Sequence, residues 1–331
     1  MGGKPIVAFV TGGYSSEAVV SYQSAINIEK NLDTEKYEVY KIDIRPDGWL
    51  YEYENGKVVV DRNDFSLLVG GRKIWFDVVF IGIHGTPGED GKLQGYFDLL
   101  NIPYTSCDAA ASAITFNKRY TVAVAAFAGI ATARSLHLFS DLPYSVDSIS
   151  AELSFPLFVK PNNGGSSIGI SKVDKPENLA GALQKAFAED NQVLVEEFIS
   201  GREFTVGVYK TTRGIVVLPI TEIRTTNTFF DYKAKYHGES EEITPAEIPA
   251  QLAEKIRSTA NKVFEVFNCR GVVRIDFIYN EDKAEPYLLE INTIPGQSQA
   301  SLVPQQVAVM GITLKEFYSS LIDEALSRKL N

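Results

Sequence analysis

Two stretches toward the carboxyl end place acids where they could hold a metal ion. Gly271-Val272-Val273-Arg274-Ile275-Asp276-Phe277 and Tyr287-Leu288-Leu289-Glu290-Ile291-Asn292 both have strand character, and Asn280-Glu281-Asp282-Lys283-Ala284-Glu285 between them is turn-like. Side chains alternate along a strand, so Arg274 shares a face with Asp276, and Glu290 with Asn292. If the two strands pair as a hairpin, both pairs centre on residue 283, inside the turn. Asp276 then sits opposite Glu290 and Arg274 opposite Asn292. Facing carboxylates on apolar strands repel each other and resist burial, and a divalent cation removes both problems. Asp, Glu and Asn oxygens, completed by phosphate and water, are what Mg²⁺ takes. A solvated polar face on a half-exposed hairpin would show the same pattern. The Asn292-Thr293-Ile294-Pro295-Gly296 turn beside it favours a site, because a tight turn can aim backbone N–H groups.

A second stretch, Phe158-Val159-Lys160-Pro161-Asn162-Asn163-Gly164-Gly165-Ser166-Ser167-Ile168-Gly169, sets a lysine at a strand end before a flexible loop. Glycines let backbone N–H groups approach phosphate, and the serines add donors. A plain hairpin turn is the alternative. The P-loop pattern is absent, and Gly12-Gly13 does not complete a dinucleotide fingerprint. Gln192 to Ile199 reads as a strand running into a domain joint. Adenine sites use such joints, though ordinary core reads the same way.

These residues need elements to hold them. Ile6 to Val10 is a short buried strand, followed by a helical stretch to about Asn31 and a strand from Tyr37 to Ile44. Trp49 to Val60 looks like a hairpin turning at Asn55-Gly56. Asp77 to Ile83 is another buried strand, ending at His84. Strands alternating with helices predict an α/β fold whose first domain has a parallel sheet, with α+β character in the C-terminal part. The expected division is 1–105, 106–199 and 200–331. The middle part has an alanine-rich helical stretch from Asp108 to Gly129, a strand at Leu157 to Lys160, a helix at Pro176 to Glu189 and the strand Gln192 to Ile199. The last part has strands at Phe204 to Tyr209 and Ile215 to Ile220, and a helix at Pro245 to Phe267. Its polar segment 225–242 suggests a mobile lid. The final helical stretch, Thr313 to Leu330, could be core or a dimer surface.

Composition narrows the function classes. The chain has 331 residues, with 32 Lys and Arg against 42 Asp and Glu, a net charge of −10. That balance argues against a nucleic-acid partner and against an anionic membrane. Two cysteines, Cys107 and Cys269, give no disulfide framework and no clustered zinc ligands, and a reduced cytoplasmic setting fits best. No stretch approaches a membrane span or a signal segment. His137 and Cys269 stand alone and read as structural, His237 reads as an exposed loop residue, and Arg119 and Arg224 stay undecided.

Taken together the pieces resemble the D-alanine–D-alanine ligases, members of the ATP-grasp superfamily. Gly12-Gly13-Tyr14-Ser15-Ser16-Glu17 with Val20-Ser21 is similar to the N-terminal signature. His84-Gly85-Thr86-Pro87-Gly88-Glu89-Asp90-Gly91-Lys92-Leu93-Gln94-Gly95 is similar to the second. Leu289-Glu290-Ile291-Asn292-Thr293-Ile294-Pro295-Gly296, continued by Ser301-Leu302-Val303-Pro304, is similar to the third. The signatures come in the family's order and span nearly the whole chain. Departures are modest: Tyr14, the Asn162-Asn163-Gly164 segment, and one lid position that reads phenylalanine where tyrosine is usual.

The resemblance implies a three-domain ATP-grasp architecture and a reaction in which ATP phosphorylates one D-alanine and the amine of a second attacks the acyl phosphate. It implies that Glu17 holds the ammonium of the first D-alanine and that His84 lines the same pocket. Lys118 and Lys160 would contact ATP phosphates, with Ser166 in the loop covering them. Glu196 and the neighbouring Glu197, Phe198 and Ile199 would read adenine, Glu203 the ribose, and Lys235 the terminal phosphate from the lid. Asp276, Glu290 and Asn292 would bind two Mg²⁺ or Mn²⁺ ions. Arg274 and the Gly296 N–H would face the reacting carboxyl, and Ser301 and Leu302 would receive the second D-alanine's carboxylate. Tyr236, Ser166 and Glu17 would link lid, loop and first domain. The resemblance further implies a cytoplasmic homodimer that supplies peptidoglycan synthesis. A D-lactate or D-serine acceptor is the nearest rival reading, and a non-catalytic nucleotide binder the more distant one.

Overall fold

The computed structural model describes residues 3–54, 56–165, 168–225 and 240–328. The first strands are β1 (Ile6–Gly12), β2 (Glu38–Arg45), β3 (Gly48–Tyr53), β4 (Gly56–Val59), β5 (Leu67–Val69), β6 (Arg72–Ile74) and β7 (Val78–Ile81). Five of them make a sheet in the order β4-β3-β2-β1-β7, while β5 and β6 form a separate ribbon. β1 runs parallel to both β2 and β7, as the alternation of strands and helices predicts, and β3 and β4 extend the edge antiparallel. β1 is apolar on both faces because both are covered. Val7 and Phe9 pack with Ala25 and Ile28 of α1 (Ala18–Asn31). Ala8 and Val10 pack with Leu93 and Phe97 of α2 (Lys92–Leu99).

The alanine-rich stretch expected as one helical run is two helices, α3 (Ala109–Phe116) and α4 (Lys118–Phe127). Asn117 between them is extended, and its side chain caps α4 by accepting the Tyr120 N–H. Asn is a poor helix-interior residue and a strong cap, and the surrounding alanines mask the break. Both helices pack on the third sheet.

β8 (Ser135–Phe139), β9 (Leu157–Pro161), β10 (Ser171–Val173) and β11 (Gln192–Glu197) form an antiparallel sheet in the order β10-β9-β11-β8. It is backed by α5 (Val146–Glu152) and α6 (Leu179–Phe187). The helix expected from Pro176 opens as a 3₁₀ turn over Pro176–Asn178 before α6 begins.

The third sheet has β12 (Arg202–Thr211), β13 (Gly214–Val217), β14 (Thr221–Thr225), β15 (Ser240–Ile243), β16 (Val272–Asn280) and β17 (Glu285–Asn292). Its order is β15-β14-β12-β16-β17, with β13 also on β12. Phe204, Val206, Val273 and Ile275 on one face meet Ile256, Ala260 and Val263 of α7 (Ala250–Val266). The helix expected from Pro245 therefore starts at Ala250. Pro249 disfavours a helical conformation at Ile248, so no helix runs through from Pro245. The expected lid ends inside β14 and β15. Its interior lies outside the described residues, together with Lys235, Tyr236 and His237, as do Asn55 and Ser166.

The chain then forms α8 (Leu302–Val309) and α9 (Leu314–Ser327). One face of α9 is core: Phe317, Tyr318, Leu321 and Ile322 are buried with residues of β1, β7 and β12. Its start is fixed by a reciprocal cap between Thr313 and Glu316. Cys269, expected to stand alone, is hydrogen-bonded to Cys107 in the core, and both thiols are free. The two segments meet because Gly271 has φ +60° and a Cβ there would lie 1.8 Å from the Thr105 carbonyl.

Candidate active site

The hairpin holds the expected register where the acids lie. Arg274 pairs with Asn292 and Asp276 with Glu290. Beyond them the pairing shifts between Asp276 and Phe277, so Leu289 is an extra, bulged residue and the turn is entered from Asn280 opposite Glu285. The bulge does a specific job. Leu288 and Ile291 both reach the core, while Glu290 and Asn292 keep the other face. Strict alternation would put Leu288 on the same face as Glu290.

The polar face is tightly connected. Arg274 Nε lies 3.0 Å from Asp276 Oδ1 and Nη2 lies 2.9 Å from Oδ2. The same Nη2 is 3.6 Å from Glu290 Oε1. The Asn292 amide nitrogen is 3.3 Å from Asp276 Oδ2 and 3.4 Å from Glu290 Oε1. Thr205 on β12, directly opposite Asp276, donates its hydroxyl to that carboxylate. Two carboxylates thus converge beside the Asn292 amide, and their oxygens suit a hard divalent cation. Among the described residues no group of three or more His, Cys, Asp or Glu side chains is placed to hold a metal. A cation here would need ligand oxygens from outside the protein, of the kind a phosphate carries.

This face opens into a cavity of about 360 Å³. Glu17, His84, Lys118, Arg274, Glu290, Asn292, Gly296, Ser301 and Leu302 all line it. Residues from the first sheet, from α4 and from the third sheet are therefore brought to one place. Lys118 Nζ reaches the Gly164 carbonyl at 2.8 Å, which puts the lysine on the glycine loop. Two glycines crowd the Glu17 carboxylate: a Cβ on Gly85 or on Gly165 would lie 2.6 Å from one of its oxygens. Ser301 is the N-cap of α8, yet its hydroxyl meets Ser298 at 2.8 Å and does not cap the first turn. That turn's N–H groups can then serve an anion.

The other predicted residues that the structure describes lie on the second sheet and at its junction with β12. Lys160 and Glu196 form a close ion pair with each other. Glu197 accepts the Ser154 N–H at 2.8 Å, and the Phe198 N–H goes to the Pro156 carbonyl at 2.9 Å. That last bond leaves the Phe198 carbonyl, rather than its N–H, to face a base. Ile199 follows in the same connection, and Glu203 shares a face of β12 with Thr205.

Glu89, to which the second signature assigns no role by resemblance, is central here. It is 9% exposed, lines the cavity and accepts N–H groups from Gly85 at 2.7 Å and Ile294 at 3.2 Å. Burial, reinforced by the nearby Glu17 charge, pushes its carboxyl up to about 8. Burial and then the Arg274 charge push the His84 ring down to about 4, against support from the Ile294 carbonyl. Gln306 was also missed. Its side chain accepts the Gly207 N–H at 2.9 Å and donates to the Thr205 carbonyl and the Thr221 hydroxyl, fixing the strand behind Asp276. A glutamine inside an apolar helix was the available signal.

Comparison with known proteins places the chain in a family. The family described as D-ala D-ala ligase N-terminus matches residues 6–107, and that described as D-ala D-ala ligase C-terminus matches residues 116–323. The chain belongs to the D-alanine–D-alanine ligase family. A D-alanine–D-alanine ligase of Phocaeicola vulgatus is 44% identical over 97% of this chain and 99% of its own length. The crystal structure of VanG D-Ala:D-Ser ligase from Enterococcus faecalis superposes with a TM-score of 0.87 at 32% identity, covering 97% of this chain and 99% of that one. The D-alanine–D-alanine ligase from Bacillus anthracis complexed with ATP gives a TM-score of 0.78 at 27% identity, covering 97% of each chain. The mixed α/β fold is the ATP-grasp architecture of these ligases.

Proposed function

We propose that this chain is an ATP-dependent ligase that joins two D-alanine molecules into D-alanyl-D-alanine, a precursor for peptidoglycan. The observation that carries the reading is one cavity that sets Glu17, Arg274, Gly296 and the start of α8 beside the facing Asp276 and Glu290 carboxylates. A small zwitterion needs an anion for its ammonium and a cation for its carboxylate, and Glu17 and Arg274 supply them. A second zwitterion presents its carboxylate to Ser301 and Leu302 at the α8 amino end.

A carboxylate is a poor electrophile. In the first step a carboxylate oxygen of the first D-alanine attacks the terminal phosphorus of ATP, the bond to ADP breaks, and an acyl phosphate results. Lys118 and Lys160 bind the phosphates, with Ser166 in the covering loop and Lys235 reaching from the lid. For Lys160 this means leaving Glu196, which then turns to the adenine amino group. The Phe198 carbonyl and Ile199 complete that edge, beside Glu197, and Glu203 accepts from the ribose. Asp276, Glu290 and Asn292 would hold two Mg²⁺ or Mn²⁺ ions, which offset phosphate charge and polarise the transferring group.

In the second step the amine of the second D-alanine attacks the acyl carbon, the C–N bond forms, and phosphate leaves with the C–O electron pair. Arg274 and the Gly296 N–H face the oxygen on which negative charge develops, and losing one such donor costs about 3 kcal/mol. Acyl phosphates hydrolyse in water, so the cavity must close first. Tyr236, Ser166 and Glu17 link the lid segment, the glycine loop and the first sheet in that closed form. The enzyme works in the cytoplasm as a homodimer. No described helix is long and apolar enough to cross a membrane.

The test is phosphate release with ATP and Mg²⁺ across a panel of D-alanine, D-serine and D-lactate, with products identified by mass spectrometry. D-Alanine should drive release most strongly and yield the dipeptide. Turnover indifferent to D-alanine would reject the reading, and a preference for D-serine or D-lactate would move it to a sister activity.

A further inference from the structure

Helix α1 begins just after Glu17 and turns a row of small polar side chains toward the cavity side. Ser21, Ser24 and Asn27 recur every three residues and so lie along one face. Ser21 Oγ accepts the His84 N–H at 2.9 Å. Ser24 Oγ accepts the Gln297 N–H at 3.1 Å and lies 3.0 Å from His84 Nε2. Asn27 donates its side-chain amide to the Gln297 carbonyl at 2.8 Å. Ser24 is 1% exposed, so water does not replace these bonds. A serine inside a helix commonly returns its hydroxyl to its own backbone, as Ser21 does toward the Glu17 carbonyl at 3.5 Å. Ser24 instead reaches off the helix to two other segments.

Those segments are the ones that shape the cavity. Gln297 directly follows Gly296, and Tyr318 donates its hydroxyl to the Gln297 side-chain oxygen at 3.2 Å. His84 opens the loop whose Gly85 crowds Glu17. The Ser24 hydroxyl carries one proton, and its oxygen already accepts from Gln297. The Ser24 hydroxyl and His84 Nε2 share a hydrogen bond whose direction follows the ring tautomer. The Ile294 backbone is also hydrogen-bonded to the ring.

We propose that Ser24 is a positioning residue for the acyl-transfer step: its hydroxyl ties the Gly296 loop and the His84 ring to helix α1 and so sets that loop at a fixed distance from Glu17. The inference rests on the ligase reading. Phosphoryl transfer relies on the lysines and the acidic hairpin, whereas the attack of the amine relies on where the Gly296 N–H points. Misplacing such a donor by about 1 Å can cost up to about a hundredfold in rate. Loss of the Ser24 hydroxyl should therefore spare the first step more than the second. Acyl phosphate would form and then hydrolyse.

The experiment compares wild type, Ser24→Ala and the near-isosteric Ser24→Cys. It measures amide hydrogen exchange across residues 293–298 in the unliganded protein, and the ratio of phosphate released to dipeptide formed. In Ser24→Ala the segment should exchange about tenfold faster or more. The ratio should rise severalfold above one, with KM for ATP unchanged and Ser24→Cys intermediate. Should Ser24→Ala not fold, Ser24→Cys carries the comparison, with the same direction expected. Equal exchange in wild type and variant would overturn the anchoring. Faster exchange with an unchanged ratio would overturn the role in acyl transfer. Wild type without D-alanine-dependent turnover would sink the ligase reading itself, while the exchange data still judge the anchor.

Discussion

Glu89 shows how much one buried side chain can reveal at the residue scale. Its two backbone donors come from Gly85 and Ile294, so it ties the His84 loop to the loop that carries Gly296. Its folded pKa of about 8 lies above the ordinary carboxylate value of 4.5. The folded state thus keeps a proton that the unfolded chain releases, and stability falls as pH rises toward 8. His84 acts in the opposite sense: its pKa is lowered from 6.5 to about 4, so stability falls as pH drops through that window. The Glu89 effect is clearest above about pH 6.5, where the His84 effect has ended. Replacing Glu89 with Gln should flatten the decline in thermal midpoint between about pH 6.5 and 8. Parallel curves for wild type and variant would contradict the assignment. The sequence displays Glu89 in plain view within Gly88-Glu89-Asp90-Gly91, yet burial is a property of the assembled fold, so its charge state was not legible there. Likewise, Lys160 and Glu196 are 36 residues apart in sequence, and only the pairing of β9 with β11 brings them together.

At the scale of elements, the acidic hairpin was the most legible part. Period-two alternation fixes which residues share a face, and the placement of Asp276 opposite Glu290 follows from it. The bulge at Leu289 was not legible, because three apolar or acidic residues in a row fit a regular strand equally well. It has a measurable consequence. With the bulge Leu288 is a core residue, 5% exposed, packed with Phe277 and Ile291. Leu288→Ala should cost about 2–5 kcal/mol in denaturant unfolding, the range for a large-to-small change in a core. A loss under about 0.5 kcal/mol would mean that Leu288 faces the cavity and the pairing is regular. The break at Asn117 was hidden for a related reason. Propensity sums over the alanines outweigh one cap residue, while tertiary packing of α3 and α4 as separate helices decides the outcome.

For the whole molecule, the parallel first sheet was legible because its strands are apolar on both faces and separated by helical stretches. What the chain order concealed is how the C-terminus returns. α9 packs on β7 and α1, where Tyr318 meets Phe80 edge-on at 5.5 Å between ring centroids and Lys36 pairs with Asp323 at 2.6 Å. The first sheet and the third sheet are thereby fastened together behind the cavity, and Tyr318 reaches through to Gln297. That fastening explains how Glu17, near one end of the chain, and Gly296, near the other, can act on one substrate. It depends on contacts between residues almost 300 positions apart, which no local pattern records. Below about pH 8 the acids on the cavity's lining are Glu17, Glu242 and Glu290, with Glu89 protonated, against Lys118 and Arg274. A triphosphate would be repelled from such a lining unless divalent cations came with it.

The most direct test of this account is therefore anomalous scattering from crystals soaked with Mn²⁺ and a non-hydrolysable ATP analogue. The account predicts a manganese peak between Asp276 and Glu290, within about 2.5 Å of their oxygens, with Asn292 and phosphate oxygens completing the shell. Nucleotide bound in the cavity with no manganese at those two side chains would contradict it.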